Sequence, residues 1–123
     1  MLFEKSVGSI DSNAMYVNGY RCMWLLVMFD LPTDTRKARK AYSLFRKSLL
    51  QAGFNKVQYS IYSRHCSSVE QAEAFAGNVV KSLPPDGEVR IMSITDKQFE
   101  RMDVFHGKMR KTPESPPLQL QLF

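Results

Sequence analysis

An α/β (α+β) domain, with two helices covering one face of an antiparallel sheet, is predicted by three features of this sequence. They are an unbroken apolar run at 23–29, two helical stripes of apolar residues further along, and short segments of apolar and polar alternation between and after them. With 123 residues, 44% of them hydrophobic, the chain suits one compact domain and is too short for two.

Met23-Trp24-Leu25-Leu26-Val27-Met28-Phe29 is apolar without interruption, as a central strand covered on both faces must be. Asp30-Leu31-Pro32 stops it, and Asp34 is placed to cap a helix. Ala38, Ala41, Tyr42, Phe45 and Leu49 then fall on one helical stripe that Gly53 terminates. From Phe54 to Tyr62, Val57, Tyr59 and Ile61 share one parity, which predicts a strand or a bent pair of strands. Ser67-Ser68-Val69-Glu70 reads as a capping box ahead of a second stripe of Val69, Ala72, Ala76, Val79, Val80 and Leu83. After the turn Pro84-Pro85-Asp86-Gly87, alternation predicts a strand over Glu88 to Thr95.

Strand, helix, strand region, helix, strand is the β-α-β-β-α-β order of a ferredoxin-like sandwich, which leaves the second sheet face open. An open apolar face needs a partner, and a second copy of the chain supplies one by symmetry. The division expected is a leader or tag remnant over 1–21, disordered and ending its protease-scar-like part at Ser12-Asn13-Ala14, a domain over 22–105, and a C-terminal linker and strand over 106–123. Leu118-Gln119-Leu120-Gln121-Leu122-Phe123 alternates strictly, so a last strand exchanged within a homodimer is expected there.

Seventeen Lys and Arg against 12 Asp and Glu, a net +5, favour an anionic partner such as nucleic acid. Cys22 and Cys66 are too few for a disulfide framework and lack zinc-site spacing, so reduced thiols and a cytoplasmic location are expected. No apolar run approaches membrane-span length, and no nucleophile elbow, P-loop or dinucleotide glycine pattern occurs.

Asp30 ends the first strand, where such sheets commonly place functional side chains, although a turn aspartate before Leu31-Pro32 has the same pattern. One carboxylate per chain is too little for a metal nuclease, and a two-fold axis pairing two Asp30 side chains would supply a second. Arg36, Lys37, Arg39, Lys40, Arg46 and Lys47 form a basic stripe on the first helix with no acidic residue between them. Such a face either is merely solvated or contacts phosphates. Lys56 and Arg64 extend it from the strand region, and Lys108, Arg110 and Lys111 from the tail. His65 and Cys66 are adjacent, hence point apart in an extended chain, and are not expected to share a metal; His106 has no neighbouring ligand. Of Tyr42, Tyr59, Tyr62 and Phe45, three fall at core-facing positions.

Leu26-Val27-Met28-Phe29-Asp30-Leu31-Pro32, Gly53-Phe54 through Gln58-Tyr59-Ser60-Ile61-Tyr62-Ser63-Arg64-His65-Cys66, Pro84 to Ile91, and Thr95 to Met102 occur in an order that resembles one family. That family is CRISPR-associated protein two, in the form found in single-effector (type II) systems. The resemblance implies a homodimer whose last strand crosses to its partner's sheet, and which holds duplex DNA for spacer integration by the Cas-one integrase. It also implies that Asp30 is the residue assigned to Mg²⁺ at the dimer interface, with a reported endonuclease activity on RNA or duplex DNA. The alternating Leu-Gln tail departs from the family pattern. Two functions are therefore expected: a DNA-holding adaptation subunit, and alternatively a metal-dependent endonuclease, either an endoribonuclease or a double-stranded deoxyribonuclease, using an Asp30 pair. An RNA-binding module on the same fold is the weaker third, since exposed aromatics do not alternate along the central strand.

Overall fold

The computed structural model describes residues 21–117. The leader and the strand expected at 118–123 therefore lie outside the described residues, apart from Arg21. The elements run β1 (Met23–Asp30), α1 (Arg36–Gln51), β2 (Asn55–Gln58), β3 (Ile61–Cys66), α2 (Val69–Lys81), β4 (Glu88–Thr95), α3 (Asp96–Glu100), β5 (Val104–His106) and β6 (Met109–Lys111). The expected mixed α+β domain with an antiparallel sheet is what forms.

β1 lies inside a four-stranded antiparallel sheet of order β2-β3-β1-β4. Its two faces serve two cores, because successive side chains point to opposite sides of a strand. Met23, Leu25, Val27 and Phe29 pack with Phe45 and Leu49 of α1 and with Val69, Ala72, Ala76 and Val79 of α2. Trp24 and Leu26 pack on the other side with Phe99 of α3.

Both helices start one residue later than their sequence signals suggest. Thr35, not Asp34, caps α1: its backbone is extended and its hydroxyl accepts from the Ala38 N–H at 3.0 Å. Ser68, not Ser67, caps α2 by accepting from the Gln71 N–H, while Gln71 turns back to accept from the Ser67 N–H at 2.7 Å. Val80 and Leu83 leave the predicted stripe and are each 45% exposed, because α2 stops at Lys81 and its buried stripe ends at Val79. Gly53 follows the C-cap Ala52 with φ +89°, the left-handed conformation that ends a helix cheaply only in glycine.

The Phe54–Tyr62 region resolves into a hairpin with Tyr59 and Ser60 in the turn, and β3 runs on to Cys66. A bulge between Lys56 and Gln58 leaves Val57 out of register. Tyr62 and Phe45 are buried and Tyr42 packs on the core, whereas Tyr59 is 73% exposed.

The second sheet face is not left open along its whole length. Thr95 and Gln98 form a reciprocal capping box that starts α3, and α3 lays Phe99 against Trp24 with ring centroids 4.0 Å apart. Met92, 46% exposed, remains uncovered on β4. Beyond α3, β5 and β6 form a small separate hairpin straddling the expected 105/106 boundary.

Candidate functional site: a basic helix beside a strand-end carboxylate

α1 reads Arg-Lys-Ala-Arg-Lys-Ala at its start, and its apolar stripe turns inward, so its remaining positions must face out. Arg36, Lys37, Arg39, Lys40, Arg46 and Lys47 are all exposed. Among the described residues none of them forms an ion pair. Arg39 donates to the Thr33 carbonyl at 3.1 Å, and Arg46 Nε donates to the Tyr62 hydroxyl at 2.9 Å, which ties one cation of the stripe to a core side chain. Lys56 is exposed on the edge strand β2, with its ammonium 5.7 Å from the Tyr59 ring centroid.

Arg64 differs from the rest of the basic set. It is half-buried, its guanidinium carbon lies 3.9 Å from the Phe75 ring centroid, and a Cβ placed on Gly53 would collide with it. The turn at Gly53 and Phe75 of α2 thus pack against this side chain. Arg110 pairs with Asp103 within the C-terminal segment.

Asp30 is exposed at the end of β1. The turn Pro84–Gly87 holds that end closely: Gly87 has φ +95°, and a Cβ there would sit 2.7 Å from the Asp30 carbonyl oxygen. This contact brings β4 in at a register that sets Glu88 directly opposite Asp30. Side chains so paired lie on one face with their Cβ atoms about 5 Å apart. The strand end thus carries two carboxylates where the sequence alone pointed to one. Glu88 meets Arg90 at 3.4 Å with both side chains about three-quarters exposed, a contact of little strength. Next to them lies a groove of about 150 Å³ lined by Leu31, Pro32, Lys37, Tyr42, Pro84 and Asp86, so a cation of α1 borders the same recess.

The histidines separate as well. His106 is exposed on β5, while His65 is buried and its Nε2 lies 3.0 Å from Asp96 Oδ1. Cys66 faces the helix side with the main core, and burial pushes its thiol up to about 11. Burial, and then the Asp96 carboxylate, also raise the Cys22 thiol above its ordinary range.

The family model for CRISPR associated protein Cas2 matches residues 23–102, from the start of β1 past the end of α3. The chain belongs to the Cas2 family. It is 55% identical over 101 residues to the "CRISPR-associated endoribonuclease Cas2" of Parvibaculum lavamentivorans, covering 82% of this chain and 100% of that one. The protein of the same name from Flavobacterium psychrophilum is 49% identical over 113 residues, 92% of this chain and 98% of its own. A third, from Paracidovorax avenae, is 45% identical over 107 residues, 87% of this chain and 99% of its own. Within this Cas2-family chain no helix among the described residues is long and apolar enough to cross a membrane.

Proposed function

We propose that this Cas2-family chain is a spacer-acquisition subunit that dimerises and holds duplex DNA through its backbone for the Cas-one integrase, in the form that serves single-effector systems. The observation that carries the reading is the outer face of α1, where six exposed cations stand without ion-pair partners among the described residues. Cations left unpaired on a rigid helix are placed to contact phosphates, which fix position without reading sequence. The element order, with strands in the order β2-β3-β1-β4, supports a ferredoxin-like sandwich. Exposed Met92 on the sheet's second face favours a homodimer, and the alternation at 118–123 is read as a strand exchanged within it.

The test is co-purification with the integrase, with and without a short duplex. We expect a ternary assembly that duplex strengthens and salt dissolves. Failure to retain integrase and duplex even at low salt defeats the proposal. Removal of residues 118–123 should weaken dimer and integrase assembly, and a dimer that persists with unchanged integrase binding rules out the strand exchange.

A second reading, a metal-dependent endoribonuclease, is favoured by the names of the relatives and by the Asp30–Glu88 register pair. Two exposed carboxylates are hard oxygen donors of the kind Mg²⁺ takes, so Asp30 and Glu88 fit that ion, and a two-fold axis would double the set. Bound there, Mg²⁺ would polarise a phosphoryl oxygen and acidify a water. Lys37, bordering the adjacent groove, is placed to hold the phosphate of the strand being cut.

A further inference from the structure

At the opposite end of β1 from Asp30 lies a second cluster of donors. Cys22 precedes β1, His65 sits on β3 as the register partner of Trp24, and Asp96 opens α3. One ligand atom from each of these residues lies within 4.8 Å of the other two. Three separate segments therefore converge, and the Asp96 N–H bonds the Cys22 carbonyl at 3.4 Å, which fixes two of them to each other. We propose that Cys22, His65 and Asp96 form a binding site for a divalent transition metal of the zinc class, distinct from the strand-end carboxylates.

The donor set selects that class. A thiolate, a neutral imidazole and a carboxylate combine soft, borderline and hard donors, which suits Zn²⁺ and disfavours Mg²⁺ or Ca²⁺. Thiolate and carboxylate together carry two negative charges, so a divalent ion leaves the partly buried site neutral. Donors on a tetrahedral zinc stand about 3.3–3.7 Å apart, given bonds of about 2.0–2.3 Å. A spread of 4.8 Å closes to that with movements of about an ångström, and the His65–Asp96 hydrogen bond of 3.0 Å needs to open by only a few tenths of an ångström.

The imidazole is also held in advance. Its side chain is only 2% exposed, the Trp24 ring packs edge-on at 4.9 Å, and its Nδ1 has no hydrogen-bond partner, so packing and Asp96 fix the ring. Cys22 and Asp96 are only partly buried, the Asp96 side chain being 30% exposed, which gives an ion a way in and water a route to a fourth coordination position. The separation from Asp30 follows from the strand: eight residues, seven steps of about 3.3 Å, put the two ends of β1 about 23 Å apart. An ion here would tie the start of β1 and the end of β3 to α3, the helix that covers Trp24.

Chelator-treated protein titrated with Co²⁺ reports on such a site directly. We expect one equivalent per chain to bind with a thiolate-to-cobalt charge-transfer band, and Zn²⁺ to displace it. Cys22→Ser should abolish the band, and Asp96→Asn should weaken Zn²⁺ affinity by at least the roughly 10–100-fold that loss of an outer partner costs. Asp30→Ala should leave both signals unchanged. Both decisive positions are only partly buried, so these variants are expected to fold, and circular dichroism on each checks it. Absence of a charge-transfer band in the wild-type chain, or its survival in Cys22→Ser, overturns the site.

Discussion

The Arg64 guanidinium stacks on the Phe75 ring at 3.9 Å, at the place where Gly53 allows the chain to pass without a side chain. This contact ties β3 to α2. Arg64→Gln should therefore lower stability by about 0.5–2 kcal/mol, the range of a partly desolvated cation–π contact. Thermal melts read that loss, and the salt dependence of duplex binding should match wild type. A changed salt slope would return Arg64 to the binding face.

The outer face of α1 predicts the reverse pattern. Each phosphate neutralised releases counterions, so log affinity falls with log salt at about 0.9 per phosphate. Replacing Arg36, Arg39 and Lys40 with Gln should flatten that slope by about one unit for each phosphate the dimer no longer neutralises, with the melting curve and dimer mass unchanged. Duplexes of equal length and different sequence should bind alike. A wild-type slope in the triple variant means the stripe is only solvated.

At the far end of β1, Asp30→Ala should abolish any Mg²⁺-dependent cleavage and leave duplex binding level or slightly stronger, since a negative charge is removed. Glu88→Gln should also reduce cleavage, because its register places it opposite Asp30. Cleavage that persists undiminished in highly purified Asp30→Ala protein locates the activity elsewhere.

Trp24 is the single tryptophan of the chain, so its fluorescence reports on the cover that α3 provides. Phe99 is 1% exposed and stacked on it, and Phe99→Ala should cost about 3–5 kcal/mol and shift the emission to longer wavelength. An unshifted spectrum would mean that another residue fills the gap.

Cys66, buried and pushed up to about 11, should resist alkylation at neutral pH in the folded chain. Because its pKa is raised on folding, the folded state holds the proton more tightly than the unfolded one. Its contribution to stability is complete below the unfolded thiol value, near 9, and is lost as pH rises through about 11. Denaturation midpoints in Cys66→Ala should lack the part of the alkaline decline that this thiol contributes.

Local patterning alone determined much of this protein. The apolar run that became β1, the stripe of α1, the break at Gly53 and the alternation of β4 are properties of neighbouring residues, and periodicity reports neighbours. The basic stripe was legible for the same reason, being the complement of the apolar one on a single helix. α3 carries a local signal of its own: Thr95 and Gln98 stand at capping-box spacing before Phe99. Tertiary structure alone decided what distant segments do together. Register between β1 and β4 placed Glu88 against Asp30, and the return of the chain after β4 brought Asp96 to His65 and Cys22 across dozens of residues. Core closure also set the Arg64 guanidinium between Gly53 and the Phe75 ring. These partners are set by strand pairing and core closure, which depend on contacts between residues far apart in the chain and so leave no mark in local spacing.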